Sequence, residues 1–240
     1  IAALRRPRWR PIAIIYVVTL AFLLASGSAR VEYITLPCAA RFAAGAVWWE
    51  SRGRALRGAV STLAFALALP LVPFAIPILP VGRFIAYQKA LGREPDTEER
   101  HRMGPLPQQY ADMHGWPEFA DSVARVASTL TPAERAGAIV VVGNYGEAGA
   151  LEHFAIGRVP TIACQHNSWF FWGPPKWSGE VAILVGPDST EAASEFGEVV
   201  VAGRTEHPLA MPYERDQPIL IARHFRADLA AAWKHGKHFE

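Results

Sequence analysis

Two short stretches of this 240-residue chain carry residue types and spacings suited to chemistry. The first is Gly143-Asn144-Tyr145-Gly146-Glu147-Ala148-Gly149. It follows an apolar, β-rich run and precedes a helical one, so it reads as a strand-to-helix turn. Glycines three residues apart permit a tight turn, and a following helix N-terminus offers free N–H groups to an anion. The pattern is G-x-x-G-x-x-G, which is not the dinucleotide fingerprint. Glu147 puts a negative charge in the cradle, which disfavours phosphate. A phosphate or sugar-phosphate cradle and a compact turn with a helix cap are the two readings. The second stretch runs from Gln165 through His166, Asn167, Ser168, Trp169, Phe170, Phe171 and Trp172 to Trp177. In an open α/β sheet, ligands collect at the carboxyl ends of strands. If the two preceding strands are parallel, Asn144, Tyr145, Glu147, His166 and Asn167 converge beside Trp169 and Trp172. Amide, carboxylate and imidazole groups next to indole faces make a surface for a sugar or a lipid headgroup. The aromatic cluster also suits core capping or packing between domains.

Other chemistries find no support. No Walker loop, G-x-S-x-G elbow or CxxC pair is present. Cys164 and His166 do not form a metal pair, and His235 and His238 flank a helix end, where positive charge is favourable. His114 with Asp112 reads as a surface turn or as an outlying part of the site. Cys38 and Cys164 lie far apart in sequence, in an apolar and a polar region, which speaks against a disulfide framework.

The elements that position these residues follow from periodicity. Phe119, Val123, Val126 and Leu130 share one helical face after Trp116-Pro117. Thr131-Pro132-Ala133-Glu134 and Asp188-Ser189-Thr190-Glu191 are capping-box patterns. Strands are expected at 138–142, 159–164, 181–185, 199–202 and 219–222, with a last helix over 226–235. Strands alternating with helices predict an open, at least partly parallel α/β sheet.

The amino-terminal third is different in kind. Residues 1–82 carry nine Arg against Glu32 and Glu50, a net of +7, whereas residues 83–240 hold 15 basic and 20 acidic side chains, a net of −5. All eight His lie in the second part. This asymmetry argues against a uniformly soluble globule and a nucleic-acid binder. Residues 11–29 contain no charged side chain, 33–49 only Arg41, and 58–82 none. Three such runs predict about three membrane spans. Arg5, Arg6, Arg8 and Arg10, and then Arg52, Arg54 and Arg57, mark cytoplasmic ends, which places everything after residue 82 outside the cytoplasm. Arg41 within a span should face protein, water or a lipid phosphate.

The words from Pro105-Leu106-Pro107-Gln108-Gln109-Tyr110-Ala111-Asp112-Met113-His114-Gly115-Trp116, through residues 143–149, to His166-Asn167-Ser168-Trp169-Phe170-Phe171-Trp172-Gly173-Pro174 resemble the carboxyl-terminal region of bacterial family 39 glycosyltransferases. These are membrane proteins related to the protein mannosyltransferases and the lipid A aminoarabinose transferase. The resemblance covers nearly the whole chain and is strongest over 105–175. It implies a bundle of transmembrane helices and a sugar donor carried on a polyprenyl phosphate. It also implies catalytic acidic residues in a first extracytoplasmic loop, expected upstream of Ile1, so no catalytic residue is named here. Arg30 stands where relatives carry a Lys, and the resemblance implies contact with a lipid phosphate there. Glu32 lies beside it, and Tyr33 stands where relatives often have a pair.

Together these readings predict an α-helical transmembrane segment of about three spans over 1–82, a linker over 83–112, and an α/β Rossmann-like extracytoplasmic domain over 113–240. The expected function is that of a carboxyl-terminal fragment of an integral-membrane glycosyltransferase in the bacterial plasma membrane, acting on an extracytoplasmic acceptor. The alternative is a membrane-anchored α/β module that binds a glycan or lipid headgroup without catalysis. The expected substrate-binding set is Arg30, Asn144, Tyr145, Glu147, His166, Asn167, Trp169 and Trp172. No cofactor or metal ligand is expected in this stretch; a divalent cation is compatible with the full-length enzyme. The expected partners are a polyprenyl-phosphate sugar, membrane lipid and further transmembrane helices of the same protein, with no nucleic acid.

Overall fold

The computed structural model describes residues 7–26, 31–95 and 102–239. The chain divides into two units, Ile1–Ala86 and Tyr87–Glu240.

The first unit is helical. Helices α1 (Arg10–Ser26), α2 (Thr35–Glu50) and α3 (Arg54–Ala68) follow one another. At Leu69–Leu71 the path tightens to a 3-10 turn and continues as α4 (Val72–Ala75). Pro70 and Pro73 fall in the first turns of these two short pieces, where a missing N–H costs least. Helix α5 (Val81–Ala90) leads into the second unit.

The expectation of about three spans is overturned here. Among the described residues, one helical stretch, Arg54–Ala75, is long and apolar enough to cross a bilayer, with 22 residues and a mean hydropathy of 1.8. At 1.5 Å per residue it covers about 33 Å, against a hydrocarbon core of about 30 Å. Helix α1 has 17 residues and α2 has 16, which gives each only about 24–26 Å. A charge-free run measured along the sequence overstates the helix it makes. In α2 the apolar character is also broken by Arg41, whose guanidinium lies 3.7 Å over the Tyr16 ring.

The second unit is built on a five-stranded sheet. Its elements are α6 (Gln108–Ala111), α7 (Trp116–Ser128), α8 (Pro132–Gly137), β1 (Ile139–Val142), α9 (Tyr145–Phe154), β2 (Thr161–Cys164), β3 (Val181–Val185), α10 (Ser189–Glu195), β4 (Phe196–Arg204), β5 (Pro218–Phe225) and α11 (Leu229–His235). The strand order is β2-β1-β3-β5-β4. Strand β1 pairs in parallel with both β2 and β3, with Val142 opposite Cys164 and Val141 opposite Leu184. Strand β5 is antiparallel to both β3 and β4, so β4 runs in the same direction as β3.

This mixed sheet replaces the expected Rossmann-like domain. The 13 residues between β4 and β5 contain one 3-10 turn, Pro212–Glu214, and no crossover helix. A chain returning without a crossover pairs antiparallel, and β5 slots between β3 and β4.

Alternation sorts the strands onto two apolar faces. Val140, Val142, Ile183, Val185, Ile219 and Ile221 face α7 and α9, and Phe119, Val123 and Val126 of α7 are buried against them. Burial of each such side chain contributes about 1.5–3 kcal/mol. Ile139, Ala163, Ala182, Leu184, Leu220 and Ala222 face the other way, with Ala192 of α10, Phe196 and Trp233 of α11. The stretch read as a linker contains α6 and the buried side chains Phe84, Leu106 and Tyr110.

Candidate functional site

The turn after β1 closes on its own carboxylate. Glu147 Oε2 accepts from the Gly143 N–H at 2.8 Å and the Asn144 N–H at 3.4 Å, while Asn144 Oδ1 accepts from the Glu147 N–H at 2.9 Å. This is a capping box at the start of α9. Two backbone amides of this turn, those of Gly143 and Asn144, are already taken by an anion, the Glu147 carboxylate. The glycines agree with this. A Cβ on Gly146 would stand 2.9 Å from Trp116 Cη2, one on Gly149 would meet nothing within 4 Å, and one on Gly143 would make ordinary contact with Glu147. Only Gly146 is required by close approach, and what approaches it is a Trp ring. Of the two readings of this turn, the geometry favours the capped turn.

A cavity of about 1220 Å³ opens beside this turn, at the carboxyl ends of β1, β2 and β3. The parallel pairing of β1 with β2 and β3 brings their outgoing loops to one edge. Because β4 runs with β3, the loop after β4 leaves from that edge too and delivers Tyr213, Glu214 and Gln217. Residues Gln108 and Asp112 arrive from α6 and its end. The wall is completed by the carboxyl-terminal segment. His238 forms an isolated parallel bridge with His166, and its ring stacks on the His166 ring at 4.6 Å. His238 Nε2 is 3.1 Å from the Gly143 carbonyl and Nδ1 is 2.7 Å from the Gly236 carbonyl. Tyr145 lies 5.0 Å from His166, ring to ring. Gln165 ties the segment down through Nε2 to the carbonyls of Ala232 at 3.0 Å and Trp233 at 3.2 Å.

The electrostatics of this edge are acidic. Asp112, Glu147 and Glu214 line the cavity at the strand ends, Glu191, Glu195 and Asp228 line it further along, and no Lys or Arg stands among its described lining residues. Burial pushes the Glu214 carboxyl up to about 7, and the nearby charges of Asp112 and Glu147 add to the rise. Its Oε2 is buried with no hydrogen-bond partner among the described residues. Burial also raises Glu147, against the opposing pull of its hydrogen bonds from Gln217, Gly143 and Asn144. A carboxyl held near neutrality can both donate and accept a hydrogen bond, and such groups mark candidate sites when they sit in a cavity.

Four of the residues read from the sequence line this cavity: Asn144, Tyr145, Glu147 and His166. Four do not. Arg30 lies outside the described residues. Asn167 starts the 3-10 turn Asn167–Trp172, its backbone N–H bonded to the His238 carbonyl at 3.0 Å, and is not part of the cavity wall. Trp169 packs against the apolar core on the α7/α9 face. Trp172 is 70 % exposed, with its ring 4.4 Å from that of Trp169, and is not part of the cavity wall. Sequence reasoning did not select Gln165, Tyr213, Glu214 or Gln217. The last three come from a long loop without periodicity, and the one signal for them is the direction of β4.

Among the described residues, no group of three or more His, Cys, Asp or Glu side chains is arranged to hold a metal ion. Cys38 and Cys164 are both free thiols. No protein-family model, no curated protein and no solved structure matches the chain.

Proposed function

We propose that Tyr87–Glu240 is the acceptor-recognition unit of a membrane-anchored bacterial glycosyltransferase that uses a polyprenyl-phosphate sugar donor. The observation that carries this reading is the charge of the cavity at the strand ends. The carboxylates of Asp112, Glu147 and Glu214, the amide side chains of Asn144 and Gln217 and the imidazoles of His166 and His238 suit hydroxyl groups. The absence of Lys and Arg from the described lining makes the cavity a poor host for a phosphate. The donor's phosphate therefore belongs elsewhere in the enzyme, and the hydroxyl-bearing acceptor belongs here. The resemblance to family 39 glycosyltransferases supplies the reaction class, and all three of its motifs contribute wall residues. The apolar stretch Arg54–Ala75, 6 % buried over its most apolar window, supplies the anchor. Arg52, Arg54 and Arg57 at its amino end support a cytoplasmic position for that end and an extracytoplasmic one for the α/β unit.

The test is a titration of the full chain in nanodiscs with glucose, maltose and inorganic phosphate, followed by Trp fluorescence. Saturable binding of the neutral sugars, weakened at least about tenfold by Asn144→Ala and by Glu214→Ala, is expected, the equivalent of losing one to two good hydrogen bonds. Phosphate that competes with sugar at the same site would overturn the reading. Binding of sugar by a full-length protein that transfers none would favour the anchored binding module.

A further inference from the structure

The cavity does not stop at the strand ends. From the polar edge it continues along the sheet face opposite α7 and α9, and there its lining changes character. Val141, Ala163 and Leu184 form the floor, and Ala192 of α10, Trp177 and Trp233 of α11 form the sides, with the exposed carboxylates Glu191, Glu195 and Asp228 also in the lining. Strand alternation causes this: Val140 and Val142 turn to the α7/α9 core, which leaves Ile139 and Val141 for the trough. The Trp indoles direct their polar atoms away from it. Trp177 Nε1 donates to the Val181 carbonyl at 2.9 Å, and Trp233 Nε1 to the Phe170 carbonyl at 3.3 Å. One continuous space thus has a hydrogen-bonding end free of cationic Lys and Arg among its described lining and an end whose buried and half-buried walls are apolar. Its volume, about 1220 Å³, exceeds the roughly 300–1,000 Å³ of an ordinary small-molecule pocket.

We infer that this cavity takes a single-chain amphipath: a hydroxylated, non-phosphorylated head at the Asn144–Glu214 end, and its hydrocarbon chain in the trough between the sheet and helices α10 and α11. The inference rests on the proposed recognition of hydroxyl groups and adds the chemistry of what carries them. A soluble glycan would leave the trough without a partner. A phospholipid would bring a phosphate to Asp112, Glu147 and Glu214. A hydroxylated head on an alkyl chain satisfies both ends.

The experiment uses the full chain in nanodiscs, with empty discs to subtract uptake by the bilayer. Glucose and the hexyl, heptyl and octyl glucosides, all below their micellar concentrations, compete against radiolabelled octyl glucoside. Affinity should rise with chain length by up to about fourfold per methylene, the fold-change equivalent to about 0.8 kcal/mol per buried CH₂. Ala231→Trp places an indole in the trough from an exposed lining position of α11. It should return octyl glucoside to the affinity of glucose and leave glucose within about twofold. Ala227→Trp, at another exposed lining position before the helix, repeats the test on a different backbone. If glucose binds as well as its alkyl derivatives, the inference fails and the recognition reading stands. A chain-length effect untouched by both Trp variants places the hydrocarbon elsewhere and also overturns the inference. If no glucoside binds above empty discs, the recognition reading itself fails.

Discussion

Glu147 and Glu214 share a cavity but hold their protons under different constraints. Glu147 is 2 % exposed and answers to two backbone N–H groups, so its charge is tied to the shape of the turn. Glu214 lacks such ties on Oε2, and burial with two neighbouring carboxylates lifts it to about 7. The consequence for stability has a definite sign. Between an unfolded value of about 4.3 and the folded value, the native chain holds a proton that the unfolded chain has released. Stability is therefore highest below that window and declines as pH rises through it. The melting temperature of the second unit should fall between about pH 4 and about pH 7, and Glu214→Gln should flatten this decline. A variant that melts with the wild-type pH profile would remove Glu214 as its cause. Asn144, Glu147 and His166 were legible as neighbours because a strand-to-helix turn and the end of the next strand must meet on one edge if the strands are parallel. Trp169 was not, because an indole in a 3-10 turn obeys no alternation that tells core from cavity.

At the level of elements, the turn before α9 separates two roles that a glycine-spaced motif confounds. Gly146 makes room for Trp116, whose indole Nε1 is fixed by a 2.6 Å hydrogen bond to the Asp112 carbonyl. Gly149 makes room for nothing. Gly146→Ala should destabilise the unit by about 1–3 kcal/mol, because a ring held this way does not yield to an added methyl. Gly149→Ala should stabilise α9 by up to about 1 kcal/mol through helix propensity alone. Thermal melts of the two single variants check both signs. Most elements of the second unit were readable. The apolar run at Val181–Val185 appears as β3 with the same bounds, and the box at Thr131–Glu134 caps α8 through both of its hydrogen bonds. At Asp188 the side chain accepts from the Thr190 N–H, at 2.7 Å. The parallel pairing of β1 with its neighbours was readable, but the strand order and the reversal at β5 were not, because direction depends on whether a connection folds into a crossover helix. The segment after β4 carries no periodic signal either way.

For the molecule as a whole, the division of charge along the chain corresponds to a division of surface. Helices α1 and α3 bury no residue, and Phe22, Phe42 and Phe65 are each at least 70 % exposed. If Arg54–Ala75 is the anchor, the protein should stay in the membrane pellet after alkaline carbonate extraction. Phe65→Arg near the middle of that stretch, costing about 3 kcal/mol of insertion energy, should shift protein to the supernatant. Extraction of the wild-type chain would remove the anchor. The antiparallel strand β5 has a consequence of its own for the order in which the chain is made. Strands β1, β2 and β3 can assemble as soon as they emerge, but β4 finds its neighbour only when β5 follows it. Until Pro218–Phe225 has been synthesised, the five buried residues of β3 present an unpaired edge and β4 has nothing to lie against. The last strand is a keystone, so the nascent domain must be shielded from its neighbours for as long as the ribosome needs to reach it.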